Sequence, residues 1–351
     1  MNLRSILLPF SWVYGSIAGL RRWMFQIGIF KAHKYNIPTI CIGNLRVGGT
    51  GKTPFVEYLV SQLSPEYKIA ILSRGYARKS TGLIVANELP FEKVTADLIG
   101  DEPLQYFLKF QQVLVVVSEK RTIGVEYLIQ KYPDLDLILL DDAFQHLHID
   151  YGLRILLTEY HKLFTKDFPF PAGNLRENRN NARLADLIIV TKTPSDYKII
   201  EFEKIKKQLS KYKKGELFFT SIQYKKMEPL TPSAQLFDPV EASEILLITG
   251  IANPKPLYQH LEKKYSIITN ISFPDHHDFT VSDLEMIEKR FTDGKNGHKI
   301  IITTEKDWMR LKEIKENCLL LHPVFSIPIE IGFMEKEDSF MKIIKDYVRK
   351  D

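Results

Sequence analysis

Short apolar runs recur along the chain, separated by stretches in which apolar residues return every three or four positions. Ile37–Gly43, Ile69–Leu72, Val113–Val117, Leu135–Leu140, Leu153–Leu157 and Leu187–Val190 have strand length and are almost continuously apolar. Strands buried on both faces read this way, whereas half-exposed strands alternate. Phe55–Leu63 follows the first run with helical spacing. Buried strands alternating with helices predict a parallel sheet covered on both sides. Around residues 201–230 the pattern becomes Lys/Glu-rich and then irregular, with Pro229 and Pro232. A second α/β series begins at Glu244–Thr249 and continues with Ser266–Ile271 and His298–Thr303. The pattern therefore divides the chain into an N-terminal helical segment (1–34), a first α/β domain (35–222) and a smaller second one (223–351). The extreme C-terminus is free to pack back on the first. There is no internal repeat and no low-complexity segment.

The front of the chain follows a different pattern. Residues 5–20, SILLPFSWVYGSIAGL, carry no charge. They fall short of the roughly 20 residues that span a bilayer, and Pro9, Gly15 and Gly19 weaken a spanning helix further. A signal peptide would place Arg4 ahead of a weak cleavage site at Ser16-Ile17-Ala18. Cleavage would export the phosphate-binding loop described below to a compartment without nucleotide. Val13, Ile17, Leu20, Met24 and Ile27 repeat with helical spacing, and Arg21 and Arg22 lie off that stripe. Trp12 and Trp23 suit a membrane–water boundary. The expectation is an amphipathic helix lying in the membrane surface; the plainer alternative is a helix packed on the domain core.

Composition and charge sharpen this picture. At 351 residues and 44% apolar, the chain can form two domains with ordinary cores. Two cysteines, Cys41 and Cys318, make neither a disulfide framework nor a metal pair, which fits a reducing compartment. The net charge of +5 is placed unevenly. Arg4, Arg21, Arg22, Lys31, Lys34, Arg46 and Lys52 all precede the first acidic residue, Glu57, leaving the remainder slightly acidic. A basic, acid-free front end calls for an anionic partner.

Residues 43–54, GNLRVGGTGKTP, lie between the first strand and the first long helix, the context a phosphate-binding P-loop requires. Gly48, Gly49 and Gly51 allow positive-φ turns that aim N–H groups at phosphate oxygens. Lys52 would meet the β- and γ-phosphates, Thr53 would offer its hydroxyl to Mg2+, and the helix adds its positive end. Arg46 stands where the general pattern has its first glycine, so this is a divergent loop. With Val47 and Thr50 it completes the expected nucleotide-binding run. Downstream, Leu135–Leu140 leads into Asp141-Asp142, and acids at the carboxyl end of a buried strand are where P-loop proteins hold Mg2+ or its water. Adjacent residues point differently, so one of the pair is expected to reach the metal.

Other stretches are less specific. Gly100-Asp101-Glu102-Pro103 has the form of a helix start. Phe273-Pro274-Asp275-His276-His277-Asp278-Phe279 could bind a metal, move a proton, or be a surface loop. Pro171-Ala172-Gly173-Asn174-Leu175-Arg176-Glu177 offers a cation and a carboxylate after a strand. Thr191-Lys192-Thr193-Pro194 has the outline of a guanine-reading motif but lacks its form.

GNLRVGGTGKTP, ILSRGYARK, GDEP, LLDDAFQH, PAGNLRE, TGIANP, FPDHHDF and TTEKD occur in this order. Together with the basic, aromatic front end they resemble the tetraacyldisaccharide 4'-kinase family of lipid A biosynthesis, over roughly residues 10–310. The resemblance implies a kinase that uses ATP with Mg2+, acting at the cytoplasmic face of the Gram-negative inner membrane as a peripheral enzyme. Its acceptor would be lipid A disaccharide 1-phosphate, phosphorylated on the 4'-hydroxyl to give lipid IVA. By position, Gly48 to Thr53 would hold ATP, Asp101 would be the catalytic base and His276 its partner. Asp141, Asp142 and Glu177 would surround Mg-ATP, and Gln145, His146 and Arg176 would complete the active site. With His276 in the second domain, domain closure would assemble the site. Ala143 departs from relatives that have glycine there. An anionic membrane surface is the second expected partner, with no nucleic acid and no obligate protein partner. Among rival readings, a deviant-Walker membrane-associated ATPase switch would show lysine where this loop has Val47. A GTP-dependent module lacks a guanine-selecting motif. A nucleic-acid binder is disfavoured because the basic residues are interleaved with an apolar stripe.

Overall fold

The computed structural model describes residues 6–212, 215–275, 277–293, 298–314 and 317–349. They form two compact units. One holds the residues up to Ile222 together with those from Ile331 onward, and the other is Gln223–Glu330.

The first unit runs α1 (Leu8–Gln26), β1 (Thr39–Asn44), α2 (Lys52–Leu63), β2 (Ile69–Ser73), β3 (Ile84–Val85), α3 (Ala96–Ile99), α4 (Asp101–Lys109), β4 (Leu114–Val117), α5 (Arg121–Lys131), β5 (Leu137–Asp141), β6 (Leu153–Glu159), β7 (Leu187–Thr191), α6 (Ile199–Leu209) and β8 (Leu217–Tyr224). The second contains β9 (Glu228–Pro229), α7 (Pro232–Gln235), β10 (Glu244–Thr249), α8 (Lys255–Glu262), β11 (Ile268–Ser272), α9 (Val281–Thr292), β12 (Lys299–Thr303), α10 (Glu305–Leu311) and β13 (Val324–Ser326). The chain then returns through β14 (Ile329–Phe333) and α11 (Glu337–Val348).

The large sheet has the order β14-β8-β7-β6-β1-β5-β2-β4-β3. The pairings from β8 through β4 are parallel, and β3 is antiparallel to β4. Its central strands are apolar on both sides because both sides are covered. Ile40, Ile42, Ile71, Leu137 and Leu139 enter one core. Their neighbours Cys41, Ala70, Leu72, Ile138 and Leu140 enter the other, as the two-residue period of a strand demands. On the second face α5 comes very close: a Cβ on Gly124 would lie 2.7 Å from Leu72 Cδ1. In the second unit a five-stranded sheet, β11-β10-β12-β13-β9, is parallel apart from the β13–β9 pairing and again has a core on each face.

The sequence division assigns 223–351 to the second domain, with a return of the extreme C-terminus left open. The structure places everything from Ile331 onward in the first unit. Phe340 and Ile344 are wholly buried there, with the Phe340 ring 5.9 Å from Phe55 of α2. The Tyr347 hydroxyl accepts from the Thr39 N–H at 3.0 Å.

Among the described residues, no helix is long and apolar enough to cross a membrane. In α1 the usual polarity of a surface helix is inverted. Ser11, Gly15 and Arg22 are buried, while Trp12 (71% exposed), Ile17 (64%) and Trp23 (52%) face outward. Val13, Leu20 and Ile27 of the predicted stripe are exposed as well. Small and polar residues permit the close docking. The Ser11 hydroxyl accepts from the Ala172 N–H at 2.8 Å, and a Cβ on Gly15 would lie 3.5 Å from Pro169.

Candidate active site

The site is built where β1 and β5 end side by side. Ile42 is the register partner of Asp141, so the loops that follow both strands leave from the same edge of the sheet. In an open parallel sheet, ligands gather at that edge. Gly43 is required there, because a Cβ would lie 2.7 Å from Phe144 Cβ just after the acidic pair.

From Gly48 to Thr53 the backbone makes a tight turn, with positive φ at Gly48 and Gly51 but not at Gly49. Gly48 (φ 111°) and Gly51 (φ 85°) occupy the left-handed region, and the Thr50 N–H turns back to the Gly48 carbonyl at 2.9 Å. Neighbouring strands fix the loop. Asn44 Nδ2 donates to Thr50 Oγ1 at 2.6 Å, Thr191 Oγ1 donates to the Thr50 carbonyl at 2.7 Å, and Lys192 Nζ donates to the Gly49 carbonyl. Helix α2 starts at Lys52 with no acidic residue in its first turn. Its unpaired N–H groups and positive end are left available for an anion.

Arg46 has a structural reason for departing from glycine. It forms an antiparallel bridge with Leu175, flanked by Val47 N–H to Asn174 O at 2.9 Å and Arg176 N–H to Leu45 O at 2.7 Å. The backbone there pairs as a short ribbon, and the Arg46 side chain turns to Asp167 at 3.3 Å. Arg46 and Val47 thus flank the phosphate cradle through backbone pairing with the 174–176 segment.

The two aspartates differ sharply. Asp142 has positive φ (47°). It lies 3.6 Å from Lys52 Nζ and receives Arg176 on both oxygens at 2.9 and 2.8 Å. Burial opposes its charge, yet Lys52 and Arg176 hold its carboxyl below the ordinary value. Asp141 is wholly buried. Its Oδ2 accepts the Tyr106 hydroxyl at 3.1 Å, while its Oδ1 has no partner. Burial and the nearby Glu102 push its pKa up to about 7, against Lys52, which acts to lower it. Glu102 accepts the Thr53 hydroxyl at 3.3 Å. Thr53 and the bare oxygen of Asp141 suit Mg2+, a hard ion with oxygen ligands that keeps open positions for phosphate. Among the described residues no three His, Cys, Asp or Glu side chains form a ready-made metal cage.

The remaining expected residues fall into separate groups. Asp101 is the first residue of α4, beside Glu102. Gly100 before it has φ 93°, and a Cβ there would lie 2.9 Å from the Tyr76 carbonyl. Gln145 donates to the Asn44 carbonyl at 2.8 Å and accepts from Arg176 at 3.5 Å. Burial, with help from Arg121 and Arg74, lowers His146 to about 4, so it is neutral at physiological pH. Glu177 forms a buried ion pair with Arg22 of α1 at 2.5 Å and also accepts Asn181 Nδ2 at 2.5 Å. Those bonds engage Glu177 with α1 and the 178–181 turn, whereas Asp142 is held by Lys52 and Arg176. His276 lies outside the described residues. Its neighbour His277 stacks on Phe273 with ring centroids 4.7 Å apart and meets Asp283 at 3.0 Å.

The sequence profile described as Tetraacyldisaccharide-1-P 4'-kinase matches residues 3–349. The chain belongs to this family. The tetraacyldisaccharide 4'-kinase of Bacteroides thetaiotaomicron is 42% identical, covering 100% of this chain and 95% of that one. The enzyme of the same name from Flavobacterium psychrophilum is 44% identical, with 99% and 97% covered. The crystal structure of the Aquifex aeolicus LpxK protein in complex with ATP matches with a TM-score of 0.75 at 30% identity, over 99% of both chains.

Within this kinase fold, several residues around the loop carried no clear sequence signal. Tyr106 lies one helical turn beyond Glu102, which puts the two on one face of α4. Arg121 is buried, donates to the Asp141 carbonyl at 3.4 Å, and has its pKa lowered by burial. Asn44 and Thr191 end strands that flank the loop, and Lys192 follows the second of them. Strand ends at that edge of the sheet were the available cue.

Proposed function

We propose that this protein transfers the γ-phosphoryl group of ATP to the 4'-hydroxyl of a tetraacyl glucosamine disaccharide 1-phosphate, giving lipid IVA. The single observation that carries the reading is the convergence of the Gly48–Thr53 cradle with Glu102, Asp141 and the start of α4 at Asp101. In this reading Lys52 and the N–H groups of the loop and α2 bind the phosphates and spread the charge that develops in transfer. Thr53 and Asp141 hold Mg2+, which when bound neutralises phosphate charge. Asp101 takes the proton of the 4'-hydroxyl as the O–P bond forms and the bond to the leaving ADP breaks, and His276 serves as its partner, as the family resemblance implies. Arg176 keeps Asp142 charged and in place beside Lys52.

The lipid acceptor accounts for α1. Its chains stay in a bilayer, so its headgroup must be met at a surface. The outward face with Trp12, Ile17, Leu20 and Trp23, next to a basic front end, supports docking on the cytoplasmic face of an anionic inner membrane.

The test is transfer of γ-labelled phosphate from Mg-ATP to lipid A disaccharide 1-phosphate in detergent micelles. Labelled bisphosphorylated lipid is expected from the native protein, with a loss of about a hundredfold or more in Asp101→Ala. Label in lipid with both proteins would remove Asp101 as base. Free phosphate without labelled lipid would overturn the kinase reading in favour of an ATPase switch.

A further inference from the structure

The 160–183 segment carries two features that the mechanism above does not use. The first is a pair of outward aromatic rings. Phe168 and Phe170, on either side of Pro169, are 45% and 39% exposed. Their backbone is braced. The Phe170 N–H bonds to the Leu175 carbonyl at 3.0 Å, and the Leu175 N–H to the Phe168 carbonyl at 2.9 Å. The Asp167 carboxylate accepts the Phe168 and Asn174 N–H groups at 2.9 and 3.1 Å. Two such rings within three residues of a braced turn make a patch rather than a scattered single residue.

The second feature is charge. Every exposed charged residue between 160 and 183 is basic: Lys162, Lys166, Arg179 and Arg183. Lys162 shares its charge with Glu159 at 3.5 Å, which leaves the other three as the surplus. The two acids of the segment are turned inward. Asp167 meets Arg46 at 3.3 Å, and Glu177 meets Arg22 at 2.5 Å. What the segment shows to solvent is therefore aromatic and cationic, the chemistry of a surface that meets anionic lipid.

This surface lies beside the outer face of α1. Pro169 would be 3.5 Å from a Cβ on Gly15, and the Ala172 N–H donates to the Ser11 hydroxyl at 2.8 Å. Next to Ser11 and Gly15 in the chain stand the exposed Trp12 and Tyr14, as the two phenylalanines stand next to Pro169. A helix lying in a membrane surface leaves the attached body free to roll about the helix axis. A second contact off that axis removes the rotation. The hairpin is suited to this, because Leu175 also bridges Arg46 at the edge of the phosphate loop. One braced element then sets the height of that loop above the bilayer.

We propose that the 166–171 turn is a second membrane-contacting element, with Phe168 and Phe170 seated among the acyl chains and Lys166, Arg179 and Arg183 facing anionic headgroups. This rests on the membrane reading of α1 and adds to it the contact that orients the bound protein.

The experiment is co-sedimentation of the full chain with vesicles of phosphatidylcholine mixed with phosphatidylglycerol, and with vesicles of phosphatidylcholine alone. Phe168→Ser with Phe170→Ser should lower partition to the mixed vesicles by about tenfold, since two half-exposed rings together offer the lipid about one whole aromatic side chain. ATP affinity should stay at the native value, as a check on the fold. Phe168→Trp with Phe170→Trp should raise partition, a gain that misfolding does not produce. Lys166→Gln with Arg183→Gln should lower binding to the mixed vesicles and leave binding to phosphatidylcholine alone as it was. Native partition in the serine variant, beside a loss in Trp12→Glu with Ile17→Glu, would keep the membrane reading of α1 and overturn the second contact. A native chain that sediments with neither kind of vesicle would overturn both. A serine variant that keeps native vesicle binding but loses self-association in sedimentation velocity would assign the rings to a second copy of this chain instead.

Discussion

Arg22 and Glu177, 155 positions apart in sequence, meet at 2.5 Å with both side chains almost wholly buried. Arg22 also reaches the Phe144 carbonyl at 3.4 Å, so one guanidinium ties α1 both to the turn after the acidic pair and to the segment that carries Glu177. Removing one partner of such a pair strands the other charge, at a cost of about 3–5 kcal/mol. Arg22→Ala and Glu177→Ala are each expected to lose stability on that scale in urea unfolding, and the double variant much less than their sum. A metal-ligand role for Glu177 would give the opposite signature, with stability kept and Mg2+ affinity lost.

Asp141 makes stability depend on pH in a defined direction. Its folded-state pKa of about 7 lies above the ordinary 3.8, so between those values the folded protein holds a proton that the unfolded chain has released. Its contribution is therefore full at low pH, falls as pH rises toward about 7, and is level above that. The stability of Asp141→Asn minus that of the native protein, without nucleotide, should grow across this window and then flatten. Denaturation midpoints at a series of pH values provide the check, and a difference that stays constant with pH would refute the assignment.

Gly43 probes the junction of β1 with the turn after β5. Gly43→Ala drives a methyl group to 2.7 Å from Phe144 Cβ, and overpacking of this kind costs about 1–3 kcal/mol. Because Phe144 follows the acidic pair so closely, ATP affinity should fall along with the thermal midpoint. Retained affinity at a lowered midpoint would show that the turn yields without moving Asp142.

The outer face of α1 can be changed without disturbing the fold. Trp12 and Ile17 are 71% and 64% exposed, so Trp12→Glu with Ile17→Glu should leave unfolding nearly unchanged, within about 0.5 kcal/mol for surface positions. Co-sedimentation with anionic vesicles should drop steeply, since both the apolar contact and the charge attraction suffer. Equal sedimentation of variant and native protein would argue that this face serves some other partner.

Much of the fold could be read from the apolar runs. Leu137–Leu140 and Ile40–Ile42 can only be strands covered on both faces, and Gly48 and Gly51 announce their left-handed turns. Direction was harder to read. Periodicity places Val13, Ile17 and Leu20 on one stripe of α1 but does not say whether the stripe faces protein or solvent. That depends on Ser11, Gly15 and Arg22 having partners in the 169–177 region, and long-range pairing leaves no periodic trace. The contrast between Asp141 and Asp142 depends on a single positive φ and on Tyr106, neither of which spacing reveals. The return of β14 and α11 to the first unit was left open, because a strand followed by an amphipathic helix looks the same whichever sheet it joins.

The return of the chain also bears on how the protein is made. The phosphate loop emerges early from the ribosome, yet α2, which opens from it, packs on Phe340, and β1, which leads into it, bonds through Thr39 to Tyr347, 308 positions later. A nascent chain therefore carries an incomplete core beneath its nucleotide site until translation has passed α11. A stalled or clipped product would lack a firm grip on nucleotide, so failed synthesis would yield an inert fragment rather than an ATP-consuming one.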